Sequence, residues 1–122
     1  LSYCNAGHER PLFMACTGDG NCRQELAEGG LVLGILDEST YAEGRVTLWP
    51  GSLLLIYSDG LTDAVDAVDQ PFGVAAVEAV LQEHQEATAA ELLEALLVAV
   101  KRHIAAEPPY DDLTIIAVRR LP

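Results

Sequence analysis

Four carboxylates stand where they could do chemistry. Asp59 and Asp63 lie in LLLIYSDGLTDA, residues 53–64, and Asp111 and Asp112 form an adjacent pair in DDLT. Asp59 directly follows an apolar, strand-like run, and Asp111-Asp112 directly precede another. If those strands run antiparallel and lie close in one sheet, the end of one meets the start of the other. Three carboxylates then share a sheet edge, and Asp63, four residues after Asp59, joins them if the intervening turn is helical. Clustered carboxylates repel one another unless something neutralises them. Hard divalent cations, Mg2+ or Mn2+, prefer such oxygen ligands. A water held between two such ions is acidic enough to attack phosphorus esters at neutral pH. The same residues also have a plainer reading. Asp after a strand caps a following helix, here Leu61 to Ala67, and Asp-Asp before a strand forms a solvated turn. Composition and spacing leave both readings open.

Other sources of chemistry are weaker. Asp59, Asp63, Asp66 and Asp69 do not follow the D-x-[DN]-x-[DN]-G calcium loop, and Gly29-Gly30 to Gly34 match neither nucleotide-binding glycine pattern. His8, His84 and His103 lack ligand spacing, the last two reading as surface positions on helices. Ser58 has no G-x-S-x-G context for an esterase nucleophile. His8, in Asn5-Ala6-Gly7-His8, is the one histidine in an unusual turn, and a structural turn is its simplest reading.

Composition bounds the rest. The chain has 122 residues, half of them hydrophobic, enough for one folded domain with a modest core. Its net charge is -12, from 7 basic and 19 acidic side chains. That balance opposes nucleic-acid backbones and anionic membrane surfaces as partners. No run approaches the length of a membrane span, and none reads as a signal peptide. Cys4, Cys16 and Cys22 are odd in number and lack C-x-x-C spacing, so buried, inert thiols and a cytoplasmic location are expected. The first residues, Leu-Ser-Tyr-Cys, already read as a strand, as in a piece of a longer protein.

The elements that must position the carboxylates follow from periodicity. Leu1 to Asn5 and Pro11 to Cys16 read as strands. Thr17 to Asn21 form a turn, and Arg23 to Ala27 return as a partner strand. Gly29 to Gly34 read as a buried, glycine-punctuated loop. Tyr41 to Trp49 form another strand, stopped by Pro50-Gly51. Ser52 to Ser58 have the pattern of a central strand covered on both faces. Phe72-Gly73 then open a helix with Val74, Val77, Val80 and Leu81 on one face. A second helix starts at Thr88, with Glu91 completing a capping box. Its apolar positions are Leu92, Leu93, Leu96, Leu97, Val100 and Ile104. Lys101, Arg102 and His103 suit its C-terminal dipole, and Pro108-Pro109 stop it. Leu113 to Arg119 form the last strand. Strands, two helices and a final strand predict an α+β fold, a largely antiparallel sheet covered by two helices.

The motifs in order resemble a family. Asn5-Ala6-Gly7-His8 followed by Pro11-Leu12 resembles its NAGH turn and following proline. Gly30 to Gly34, GLVLG, resembles its G-x-P-L-G segment, with Val32 in place of proline. Pro50-Gly51-Ser52 and Tyr57 to Ala64, YSDGLTDA, resemble PGD and YTDGVTEA. Phe72-Gly73 matches FG, and Asp111-Asp112-Leu113-Thr114 matches DD-[IVM]-T. On these residues, spread over nearly the whole chain, the sequence resembles the C-terminal half of SpoIIE/RsbU-type bacterial protein serine phosphatases, members of the PP2C-like (PPM) group.

That resemblance implies residues 1–122 as a single partial PP2C-like domain, part of an α-β-β-α sandwich with a binuclear Mn2+ or Mg2+ centre. It implies hydrolysis of phosphoserine or phosphothreonine on a regulatory protein, such as a STAS-type anti-sigma-factor antagonist. By position, Asp59 and Asp111 are implied metal ligands. Asp112 stands where wider relatives often carry Asn and is a third candidate. Gly60, Asn5, Gly7 and His8 are implied to lie near the site. His8 stands where many eukaryotic relatives have an Asp, so no metal role transfers to it. Ser52 replaces the usual Asp in an apparent turn. The family's earlier GD-x-x-GHG-like motif, which supplies further ligands, has no counterpart here. The chain alone is therefore expected to be inactive, with an upstream half of the domain or self-association covering its open sheet face. The alternative is a non-catalytic, phosphatase-like module that binds a partner protein in signalling.

Overall fold

The computed structural model describes residues 1–17, 20–105 and 112–121. Its strands, in chain order, are β1 (Ser2–Tyr3), β2 (Leu12–Thr17), β3 (Gly20–Glu25), β4 (Gly44–Arg45), β5 (Leu53–Tyr57) and β6 (Ile115–Arg119). Between the last two lie helices α1 (Asp59–Thr62), α2 (Gly73–Glu83) and α3 (Ala89–Ile104). The fold is α+β with antiparallel sheets, as its sequence predicts. β1 pairs with β4, and the larger sheet has the order β3-β2-β5-β6. Two compact units are present, Leu1–Ile56 with Val118–Pro122, and Tyr57–Ala117.

In the first unit, β2 pairs antiparallel with β3 along its whole length and with β5 through Leu12↔Leu55, Phe13↔Leu54 and Met14↔Leu53. Side chains alternate across a strand, so this register sorts the apolar residues onto two faces. Phe13, Ala15 and Leu54 form one cluster with Leu26 and Val46, against which Tyr3, Leu48 and Ile56 pack. Leu12, Leu53 and Leu55 occupy the opposite face and are equally buried. β5 is thus buried on both faces, as its unbroken apolar run predicts.

β5 is entered through a turn at Trp49-Pro50-Gly51-Ser52. Gly51 has φ +85°, the left-handed region that glycine adopts without penalty. The Ser52 amide donates to Trp49 O (2.8 Å), and the Trp49 amide donates back to the fully buried Ser52 Oγ (2.9 Å). Ser52 is therefore a turn residue. The acceptor oxygen that this turn needs is one that an Asp would also carry. The Gly51 amide donates to Arg120 O, and the Arg120 amide donates to Ser52 O, fixing one end of the β5–β6 pair.

The second unit is helical. α3 begins with the expected capping box. The Glu91 amide donates to Thr88 Oγ1 (3.2 Å), while the Glu91 carboxylate accepts from the Thr88 amide and hydroxyl, both at 2.8 Å. Leu92, Leu96, Val100 and Ile104 are its buried stripe, and Val77 and Leu81 are that of α2. The helix ends at Ala105, which has φ +58°. Pro108-Pro109 lie outside the described residues.

Several expectations are corrected. Residues 29–34 are not buried: Leu31, Val32 and Leu33 are exposed, as are Ile35 and Leu36 beyond them. Backbone bonds hold the base of this loop, from the Gly30 amide to Asn5 O and from the Ala42 amide to Gly29 O, and its apolar side chains point outward. The Tyr41–Trp49 strand shrinks to Gly44–Arg45, because its partner β1 is only two residues long. Leu97 is exposed, since it falls off the Leu92–Leu96–Val100 stripe. Cys4 is exposed rather than buried. The side chains of Cys16 and Cys22 and the tip of the β2–β3 turn lie outside the description.

Candidate functional site

Tyr57 ends β5, and Ser58 leaves the strand in extended geometry, φ -81° and ψ 161°. Ser58 is the N-cap of α1, so Asp59 is the first helical residue and not the cap. The helix covers residues 59–62, not 61–67 as its sequence suggests. N-cap serines normally accept a bond from the second or third helical amide. Ser58 makes no such bond. Its hydroxyl donates to Asp112 O (3.1 Å) and accepts from the Thr114 amide (3.0 Å). Its own amide donates to Thr114 O (3.0 Å).

Three hydrogen bonds from one residue therefore tie the end of β5 to residues 112–114, just before β6. The Ser58–Thr114 and Ser52–Arg120 bonds also show that the two strands run antiparallel. Gly60 tightens the same junction. A methyl group there would overlap the Asp112 carbonyl oxygen and lie 3.1 Å from its carbon. The sequence Ser-Asp-Gly thus supplies a tie, an acid and a gap that lets the two backbones meet.

Asp59 and Asp112 are both exposed at this junction. Asp59 Oδ1 accepts from the Gly60 amide (2.9 Å), which orients the carboxylate. Asp63 is the C-cap of α1, where its amide donates to Asp59 O (2.8 Å) and its Oδ1 accepts from the Thr62 hydroxyl (3.4 Å). Asp111 lies outside the described residues. Among the described residues no group of three or more His, Cys, Asp or Glu side chains is placed to hold a metal ion. In kind, the donor set fits a hard cation: exposed carboxylate oxygens on two backbone segments tied together. In number, Asp59 and Asp112 alone do not complete a site.

The Asn5–His8 turn belongs to the first unit, whereas Asp59 belongs to the second. Asn5 closes that turn from both sides. Its Nδ2 donates to His8 O (2.9 Å), and its Oδ1 accepts from the His8 amide (2.8 Å). The His8 ring is exposed, with Nδ1 against Glu9 O (2.9 Å). Gly7 has φ +88°, and a methyl group there would overlap the Val32 side chain. The NAGH and GLVLG motifs therefore pack on each other.

Two contacts escaped sequence reasoning. Ser58 reads from sequence only as a failed nucleophile, yet it is the hub of the junction. His103 is half-buried rather than a plain surface residue. Its Nε2 bonds Gln70 O (2.8 Å), and its ring meets that of Phe72 edge-on at 5.4 Å. This fixes the loop after α1, in which Asp66 Oδ1 accepts from the amides of Val68 (2.9 Å) and Gln70 (3.0 Å). Those two donors, Gln70 first, hold the Asp66 carboxyl below its ordinary pKa. A shallow cavity of about 570 Å3 is lined by His84, Glu86, Glu91, Glu94 and Val98 among others, and by none of the candidate site residues. Among the described residues no helix is long and apolar enough to cross a membrane.

Known proteins match this architecture. The chain is 32% identical over 120 residues to Protein IcfG of Synechocystis sp., covering 98% of this chain and 18% of that protein. It is 28% identical over 123 residues to phosphoserine phosphatase RsbU of Bacillus subtilis, covering 98% of this chain and 35% of that one. Among solved structures, the SiaA-PP2C domain of Pseudomonas aeruginosa superposes with a TM-score of 0.73 at 24% identity, over 99% of this chain and 46% of that one. The fold is thus that of part of a PP2C phosphatase domain, and the chain spans less than half of each of these relatives. The model of the stage II sporulation protein E family matches residues 1–121, and the chain belongs to the SpoIIE family.

Proposed function

We propose that the chain is the C-terminal part of a metal-dependent protein serine/threonine phosphatase domain. The observation that carries this reading is the tie from Ser58 and Gly60 to Asp112, which brings two acidic segments to one junction. Family membership and the likeness to a phosphoserine phosphatase support it further. In this reading Asp59 and Asp111 are ligands of Mn2+ or Mg2+, and Asp112 is a third candidate. Residues 1–122 are one partial PP2C-like domain, and an upstream half supplies the remaining ligands.

The bound ions would supply charge neutralisation and an activated water for direct attack on a phosphoserine ester. The chain's own residues supply the scaffold. β5, buried on both faces, is a stiff support that ends two residues before Asp59. The Gly60 amide holds one oxygen of Asp59, leaving the carboxylate exposed to a ligand. Ser58 sets the spacing to Asp112.

The proposed substrate is phosphoserine on a regulatory protein, with a STAS-type anti-sigma-factor antagonist as the expected kind, in the cytoplasm of a bacterium. The net charge of -12 disfavours nucleic acid as a partner. The test is phosphate release from a phosphoserine protein by the full-length protein, with and without Mn2+. Turnover that requires Mn2+ is expected, together with negligible hydrolysis of p-nitrophenyl phosphate by the 122-residue chain alone. Metal-independent turnover, or robust turnover by the isolated chain, would contradict the reading.

A further inference from the structure

We infer that Ser58 is a positioning residue for the proposed metal site, setting the separation of Asp59 and Asp112; this rests on the metal reading above. Ser58 precedes one carboxylate in sequence and bonds the backbone of the other. Its hydroxyl acts as donor and acceptor at once, giving its proton to Asp112 O and taking one from the Thr114 amide. Only a side chain with both capacities satisfies these two groups. Asp, an equally favoured N-cap, accepts but does not donate when ionised, and would face the Asp112 carbonyl with a second negative oxygen. Ala supplies neither bond.

The use of the hydroxyl is itself informative. α1 is left without a side-chain cap, although a serine stands at the capping position. Its hydroxyl is committed to a segment 54 residues away instead. Gly60 shows that this approach is close, because the Asp112 carbonyl fills the space where a Cβ would stand. Removing the hydroxyl takes one hydrogen bond from the Thr114 amide and one from the Asp112 carbonyl. The junction then opens, and the two carboxylates no longer sit at a fixed spacing. Groups that orient metal ligands without touching the metal commonly change affinity by about 10–100-fold.

The test is Mn2+ binding to the full-length protein, followed by loss of the free-ion paramagnetic resonance signal, at a temperature where every variant is folded. Ser58→Ala is expected to bind Mn2+ about 10–100-fold more weakly than wild type. Ser58→Thr keeps the hydroxyl and is expected to stay within about threefold of wild type. Thr88→Ala, which uncaps α3, is expected to lower the melting temperature and leave Mn2+ affinity unchanged. Wild-type affinity in Ser58→Ala, or the same loss in Ser58→Thr or in Thr88→Ala, would overturn the inference alone. No Mn2+ binding by wild type would overturn the metal reading, and this inference with it.

Discussion

The carbonyl oxygen of Asp112 lies against Gly60 where any other residue would place its Cβ, and the neighbouring Ser58 hydroxyl donates to that same oxygen at 3.1 Å. Residues on either side of one acid therefore grip the backbone of another. The junction is backbone packing first, and the carboxylates are carried on it.

Gly60→Ala is accordingly expected to destabilise the fold by about 1–3 kcal/mol, the usual cost of overpacking a closed contact. Urea unfolding measures this. Gly73→Ala is the comparison. Gly73 has φ +74° and open space around it, so its cost is backbone strain alone, about 1–2 kcal/mol. Amide exchange separates the two. Gly60→Ala should expose the Thr114 amide to solvent exchange, and Gly73→Ala should leave it protected.

Ser52→Ala removes the hydroxyl that accepts from the part-buried Trp49 amide in this turn. A loss of about 1–3 kcal/mol is expected, because the donor stays partly buried without a partner. A urea midpoint equal to wild type would show that the turn does not depend on this hydroxyl.

The capping box of α3 was legible from Thr88 and Glu91 because it is local, closing over three residues. β5 was legible for a related reason, since an unbroken apolar run has few alternatives to a doubly covered strand. The loop at 29–36 misled, because its apolar residues imply burial while its glycines and backbone bonds turn their side chains outward. The α1 boundary misled in a different way. Asp59 looks like a cap, but Ser58 takes that position and spends its hydroxyl elsewhere. The role of Ser58 was hidden because its partners lie 54 and 56 residues away. His103 was hidden likewise, its partner Gln70 being 33 residues distant.

Thr88→Ala should cost about 1 kcal/mol, the usual value of an N-cap. The same site gives a pH dependence. The Thr88 amide, and then its hydroxyl, donate to Glu91 and hold its pKa below the ordinary value. A carboxylate with a depressed folded pKa stabilises above its unfolded pKa, and that contribution is lost as pH falls through the folded value. Stability should therefore decline on acidification, and Glu91→Gln should flatten that decline. Equal acid sensitivity in Glu91→Gln and wild type would contradict the assignment.

Asp66 follows the same sign. Its carboxylate takes the Gln70 and Val68 amides, and its pKa is lowered chiefly by them. Asp66→Ala should loosen the loop at 65–71, read as faster amide exchange at Val68 and Gln70. Asp66→Asn, which keeps an acceptor oxygen, should preserve part of that protection and remove its acid sensitivity.

Asp59 is proposed to bind metal in a phosphatase site. The most direct measurement is turnover of a phosphoserine protein by the full-length protein and its Asp59→Asn variant at saturating Mn2+, with melting curves of both. A loss of about a hundredfold or more in turnover is expected, at an unchanged melting temperature without metal. Turnover retained by Asp59→Asn would remove Asp59 from the metal site and contradict the account.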